Sequence, residues 1–291
     1  MIGDLAAHSV HHRQQTHQSD LRGRYGAENE GRLMEYSTIL FETGADNVAT
    51  ITLNRTDTLN GFNDRMCEEF ADVWTRVRET DSIHAVVLRA FGRAFSVGVE
   101  AAGGLSMLNY ENVWRQIDPG EKLGPKANNV WKPVIMAVNG ILASGAFYWL
   151  NEADIVICAQ DAQFFDGHVS FGMVAALEPI GLMRRLQLGE VLRIALMGSD
   201  ERVTAETALR IGLVSEIVAG DTLHERAHEI AAGIALKPTA ATQGTLRAIW
   251  DSLDLGRRAA LTAGQRYWQV GNPLAATQLD RGAAKRKWRG R

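Results

Sequence analysis

Residues Val138 to Glu178 read VNGILASGAFYWLNEADIVICAQDAQFFDGHVSFGMVAALE. Just before and into this stretch runs an apolar strand, Val134-Ile135-Met136-Ala137-Val138, which stops at Asn139-Gly140. A continuous apolar run closed by turn residues suits a strand buried on both faces. The small residues Ala143-Ser144-Gly145-Ala146 then open a hydrophobic helix, and a second apolar run, Ile155-Val156-Ile157-Cys158-Ala159, follows Asp154. The first N–H groups of a helix have no partner inside it, and small side chains leave them open to an approaching group. That arrangement suits a developing oxyanion.

The same alternation extends outward. Strands are predicted at 37–42, 48–53, 85–90, 134–138, 154–158 and 214–218, and helices at 63–79, 145–152, 180–186, 189–197, 204–211 and 221–235, with further helices from 237 onward. Strand and helix in turn predict an α/β fold of stacked units. Residues 103–130 read as a helix-and-loop segment with Gly103-Gly104 and Pro119-Gly120. Residues 1–33 hold His8, His11, His12 and His17 among polar residues and Gly. They read as a disordered leader rather than a metal-binding tract, because nothing there can bury a core or fix ligand geometry.

A chain of 291 residues with 46% hydrophobic content suffices for one large domain with a helical appendage. A net charge of −3 gives no electrostatic case for nucleic acid or a membrane surface. Cys67 and Cys158 sit in apolar segments without metal-ligand spacing, which points to a reducing cytoplasm.

Several segments together resemble the crotonase, or enoyl-CoA hydratase/isomerase, family. Thr50-Ile51-Thr52-Leu53-Asn54-Arg55 and Leu59-Asn60-Gly61-Phe62-Asn63 resemble its first strand and turn. Val86 to Ala90 and Arg93-Ala94-Phe95-Ser96-Val97-Gly98-Val99-Glu100 resemble the strand and loop written F-x-x-G-A-D. Ala205 to Val218 resembles the helix and strand beyond the catalytic core. The resemblance runs from residue 35 to 270, and the order of the pieces carries it more than any one of them. It implies a crotonase-like fold of stacked ββα units with a core over 34–225 and a C-terminal helical region over 226–291.

The resemblance also implies a site. The backbone N–H groups of Val99 and Gly145 would hold a thioester oxygen. The loop residues Ala94, Ser96 and Val97 would contact an acyl-CoA substrate, and Lys285 and Lys287 could reach its phosphates, although a solvated basic tail is the plainer reading of the terminus. Two glutamates work the proton chemistry in the family's hydratases. Their positions here hold Tyr148 and His168. An imidazole can take and return a proton near neutral pH, whereas a phenol is a poor base. Asp166 would orient His168 or simply begin a turn. Glu178, before Pro179, is either a working acid or a carboxylate at a helix start. Tyr148 either donates a hydrogen bond or packs in the core, and Glu100 braces its loop.

These residues imply an enzyme acting on an acyl-CoA thioester through a stabilised enolate, with a non-standard acid/base set. No metal or redox cofactor is implied; coenzyme A enters as part of the substrate. The family implies a homotrimer or a dimer of trimers. Two rivals stand beside this reading: a crotonase-fold hydrolase of C–C bonds in β-diketones or β-keto thioesters, and a non-catalytic binding subunit. Ser144 followed by His168 also resembles Clp-type serine proteases, but there the serine stands two residues before the corresponding glycine. Here it is adjacent to Gly145, an offset that turns its hydroxyl away from His168.

Overall fold

The computed structural model describes residues 35–100, 105–106 and 112–279. The expectations for residues 1–33 and for Lys285 and Lys287 concern residues outside these.

Two sheets form the body. The main sheet has six strands in the order β1 (Ile39–Thr43), β2 (Val48–Leu53), β3 (Ala85–Ala90), β5 (Val134–Val138), β7 (Ile155–Ala159) and β10 (Glu216–Val218). The pair β1–β2 is antiparallel and the other neighbours are parallel. The second sheet has four short strands, β4 (Ala94–Ser96), β6 (Ile141–Ala143), β8 (Gln163–Phe165) and β9 (Val203–Thr204). Each successive unit adds one strand to each sheet: β3 turns into β4, β5 into β6 and β7 into β8. The expected stacked ββα units are present.

The inner strands are apolar without alternation because both their faces are covered. Val86 and Leu88 of β3 and Val134, Met136 and Val138 of β5 join one core, with the buried face of helix α1 (Asp64–Glu79). Val87, Ile135, Ala137 and Ile157 point the other way, onto Leu223, Ala227, Ala231 and Ala235 of helix α7 (Leu223–Ala235). That four-residue spacing gives α7 a narrow stripe that lies on the sheet. The boundary expected at 225/226 therefore falls inside a core helix, and the appended helical region begins after α7.

Helix α1 starts where the Asn63 side chain accepts the Met66 N–H at 3.0 Å. It is tied to β1 through Glu69, which is fully buried. The Glu69 carboxylate accepts the backbone N–H groups of Ser37 (2.7 Å) and Thr38 (2.9 Å), both hydroxyls, and Arg65 Nε. Burial alone would raise its pKa; the bonds from Thr38 and Ser37 hold it below the ordinary value.

Between α1 and α7 run helices α2 (Gly120–Leu123), α3 (Phe147–Glu152), α4 (Leu177–Leu182), α5 (Leu188–Met197) and α6 (Ala205–Ile211). Helices α8 (Thr239–Ser252) and α9 (Arg257–Gln278) form the appended pair. Trp250 Nε1 of α8 donates to Asp154 Oδ1 at 2.7 Å, while Asp154 Oδ2 takes Lys126 Nζ at 2.9 Å and the Val134 N–H at 2.8 Å. Among the described residues no helix is long and apolar enough to cross a membrane.

Candidate active site

The site is assembled at the ends of β4, β6 and β8. After β4 the chain turns through Val97-Gly98-Val99. Ser96 pins this turn from below: its fully buried hydroxyl donates to Asn60 O at 2.8 Å and accepts the Gly98 N–H at 3.2 Å. The Asn60 amide donates to Phe91 O and Ala94 O. Phe62 then bridges the loop, its N–H donating to Gly98 O at 2.8 Å and its carbonyl accepting the Glu100 N–H at 2.9 Å. This pairing uses the groups on either side of Val99, so the Val99 N–H faces away from Phe62. Glu100 braces the loop through Arg55 (2.9 Å) and Asn63 (3.2 Å).

After β6 the backbone enters a short turn, Ser144 to Ala146, and then α3. Gly145 lies in its first turn. A Cβ there would meet Phe62 Cζ at 2.8 Å, and one on Gly98 would stand 2.8 Å from the Gly145 nitrogen. The two loops therefore touch, and only glycines allow it. Among the described residues neither the Val99 nor the Gly145 N–H has an acceptor. Two unfilled donors on adjoining loops are the equipment that a thioester oxygen needs.

After β8 come Asp166, Gly167 and His168. Asp166 is 1% exposed. Its Oδ1 accepts the His168 N–H at 3.1 Å and lies 2.5 Å from His168 Nδ1, while Oδ2 has no partner. On its other side, His168 Nε2 stands 3.8 Å from Glu178 Oε1, too far for a hydrogen bond but close enough for charge to act. The Asp166 hydrogen bond raises the His168 pKa above the ordinary 6.5; burial opposes it, and the charges of Asp166 and Glu178 add to it. Burial above all raises the Glu178 pKa. Asn151 of α3 fixes the Glu178 backbone, donating to its carbonyl at 2.9 Å.

Tyr148 of α3 closes the group. Burial raises its pKa strongly, and the nearby carboxylates of Glu178 and Asp118 raise it further by charge and hydrogen bonding. The phenol therefore stays protonated and is a poor base. Asp118 holds its own turn by accepting the Gly120 N–H at 3.0 Å, and Gly120 packs so close to the Tyr148 ring that a Cβ would lie 2.7 Å from Cδ1. Asp118 has no sequence signal: it lies in the 103–130 segment, and only the packing of that segment on α3 brings it here.

Ser144 plays a different part from a protease nucleophile. Its Oγ accepts the Gly167 N–H at 3.0 Å, and so ties β6 to the turn that carries His168. A cavity of about 550 Å³ opens beside the two loops, lined by Val97, Val99, Ala143, Ser144, Phe165, Ser199 and Arg202 among others. His168, Glu178 and Tyr148 are not part of its wall. Of the three loop residues expected to contact substrate, Val97 lines this cavity, whereas the side chains of Ala94 and Ser96 are buried beneath the loop.

A model of the enoyl-CoA hydratase/isomerase family matches residues 43–270. The chain belongs to the enoyl-CoA hydratase/isomerase family. Within this family it is 30% identical over 219 residues to the 1,2-epoxyphenylacetyl-CoA isomerase of Escherichia coli K12, covering 71% of this chain and 79% of that protein. It is 32% identical over 213 residues to a probable enoyl-CoA hydratase of Rhodobacter capsulatus, covering 72% and 79%. The crystal structure of an enoyl-CoA hydratase/isomerase from Mycobacterium paratuberculosis superimposes with a TM-score of 0.75 at 34% identity, covering 81% of this chain and 91% of that one. Crotonase-fold hydratases and isomerases thus surround this chain on both counts, and the α/β fold read from the sequence is the family's own.

Proposed function

We propose that this family member acts on an acyl-CoA thioester and uses His168, held by Asp166, as its proton-transfer group. The observation that carries the proposal is the Asp166–His168 pair, 2.5 Å apart, with Nε2 left free toward Glu178. Asp166 accepts a hydrogen bond from Nδ1–H, which fixes the tautomer and leaves Nε2 as the basic nitrogen. Neutral Nε2 removes a proton from the α-carbon: the C–H bond breaks, an N–H bond forms and the electron pair moves onto the thioester oxygen. The Val99 and Gly145 N–H groups receive the resulting enolate oxygen. The proton returns to carbon from the imidazolium or from Glu178, whose raised pKa suits it as an acid. Tyr148 donates a hydrogen bond and does not act as a base. No metal or redox group enters this scheme.

A second reading is favoured by the same dyad. A histidine backed by a buried aspartate also suits activation of water. Attack of water on the β-carbonyl of a β-keto thioester would break the C–C bond and leave the electron pair in the same enolate. Assays with an enoyl-CoA, a β-keto-acyl-CoA and a free β-diketone separate the two readings. In the substrate that turns over, His168→Ala and Glu178→Gln should each lower kcat by about 10²–10⁴-fold. Full activity in both variants would refute the assignment of His168 and Glu178, whereas no turnover of any of the three substrates by the wild type would leave the non-catalytic reading.

We also propose a homotrimer or dimer of trimers. Phe171, Val174, Ile180, Leu188 and Leu196, on α4, α5 and the turn before them, are large apolar side chains exposed in the single chain, which supports an association surface. Light scattering measures the state directly.

A further inference from the structure

We propose that Arg202, with the Ser199 hydroxyl, forms a subsite for an anionic oxygen group of the substrate, either a carboxylate on the acyl part or a phosphate of its carrier. The inference rests on the acyl-thioester reading and adds a recognition element to that site.

Arg202 comes directly before β9. The antiparallel pairing of Phe164 with Val203 places it opposite Phe165, the last residue of β8 before Asp166, Gly167 and His168. Its guanidinium carbon lies 3.3 Å from the centre of the Phe165 ring. Stacking of this kind holds an arginine in one orientation, so little rotamer freedom is lost when it binds a ligand. Both residues line the cavity that Val97, Val99 and Ser144 share.

The charge of Arg202 is unspent. Among the described residues it has no carboxylate within ion-pair distance and no hydrogen-bond acceptor for any N–H. The neighbouring Glu201 is taken by Arg193 through two bonds of 2.7 Å. Glu100, the acidic residue of the cavity wall, is taken by Arg55 and Asn63. Ser199 lines the same cavity, and its backbone N–H is bonded to Ser170 Oγ at 2.8 Å. Its own hydroxyl has no partner among the described residues. A planar guanidinium and a hydroxyl, both unfilled, on the wall of an otherwise largely apolar cavity match the two oxygens of a carboxylate or phosphate.

The test measures binding rather than turnover. Wild-type protein, R202Q and R202K are titrated calorimetrically with butyryl-CoA, glutaryl-pantetheine and butyryl-pantetheine. The first carries phosphates, the second a distal carboxylate and the third neither. The expected result is a loss of about 10–100-fold in R202Q for the probe that carries the recognised anion, as for a charge-assisted bond, with butyryl-pantetheine unchanged. R202K should recover part of that loss, since it keeps the charge without the planar fork. A loss on butyryl-CoA assigns the anion as phosphate, and a loss on glutaryl-pantetheine assigns it as carboxylate. In the unmodified protein, the preference for the anionic probe over butyryl-pantetheine should also shrink as salt is raised, an arm that does not depend on a variant folding. Equal affinities across the three proteins, or a wild-type preference indifferent to salt, overturn the Arg202 subsite alone. Failure of the wild type to bind any of the three overturns it together with the acyl-thioester reading.

Discussion

Replacing Asp166 by Asn keeps the shape of a buried side chain and removes its charge. In the native protein Oδ1 lies 2.5 Å from His168 Nδ1 and also accepts the His168 N–H. The amide can still accept from either group, but the charge assistance is lost. Hydrogen bonds to charged groups contribute about 1.5–3 kcal/mol, so a transition state with a full imidazolium should be destabilised by that amount and kcat should fall about 10–100-fold. The pH profile has a defined sign. The Asp166 bond is the largest cause of the raised His168 pKa, and burial works against it. With the carboxylate gone, burial dominates and the pKa falls. If neutral His168 is the base, the rising limb of kcat/KM should move to lower pH in Asp166→Asn while the plateau drops. Steady-state rates across the pH range, with the imidazole followed by NMR, give both quantities. A limb that stays in place in the variant would falsify the assignment of His168 as the titrating base. A limb that moves to higher pH would show that Asp166 acts on another group.

Val99→Pro removes an N–H that the bridge to Phe62 does not use, and a melting curve checks that the added ring leaves the fold intact. Its kcat should drop about 10²–10³-fold, the usual effect of losing one oxyanion donor, and near-native turnover would refute that role for Val99. Tyr148→Phe keeps the ring that packs against Gly120 and should cost kcat less than His168→Ala in the same assay; an equal loss would mean that the phenol carries a proton. Glu69→Gln weakens the bonds to Ser37, Thr38 and Arg65, and should lower Tm at neutral pH by several degrees, from about 1–3 kcal/mol for impaired buried donors. The Glu69 pKa is depressed in the folded state, so its contribution exists above the ordinary 4.5 and disappears as the pH falls through the folded value. The gap between wild type and variant should therefore close in acid; a gap that persists there would assign the effect to packing.

Much of the main sheet was legible because its strands are long, apolar runs between turn residues. The runs at 48–53, 85–90 and 134–138 coincide with β2, β3 and β5. The second sheet was not legible. Strands β4, β6 and β8 have three residues each, too few to show a period, and they exist only because each pairs with the next unit. The site divides in the same way. Val99, Gly145 and His168 could be picked out because the resemblance to crotonases implies the oxyanion donors and the second acid/base position there, and Glu178 because it is a carboxylate among apolar neighbours. What the neighbours do to those groups was set by the tertiary structure. Asp166 could have been a turn residue until burial beside Nδ1 made it the partner of His168. Asp118 reached Tyr148 through the packing of Gly120, and Arg202 reached the cavity through the β8–β9 register. Sequence periodicity reports burial along one element at a time. Charge, unlike burial, acts between elements, and its effect is decided by distances that only the assembled chain sets.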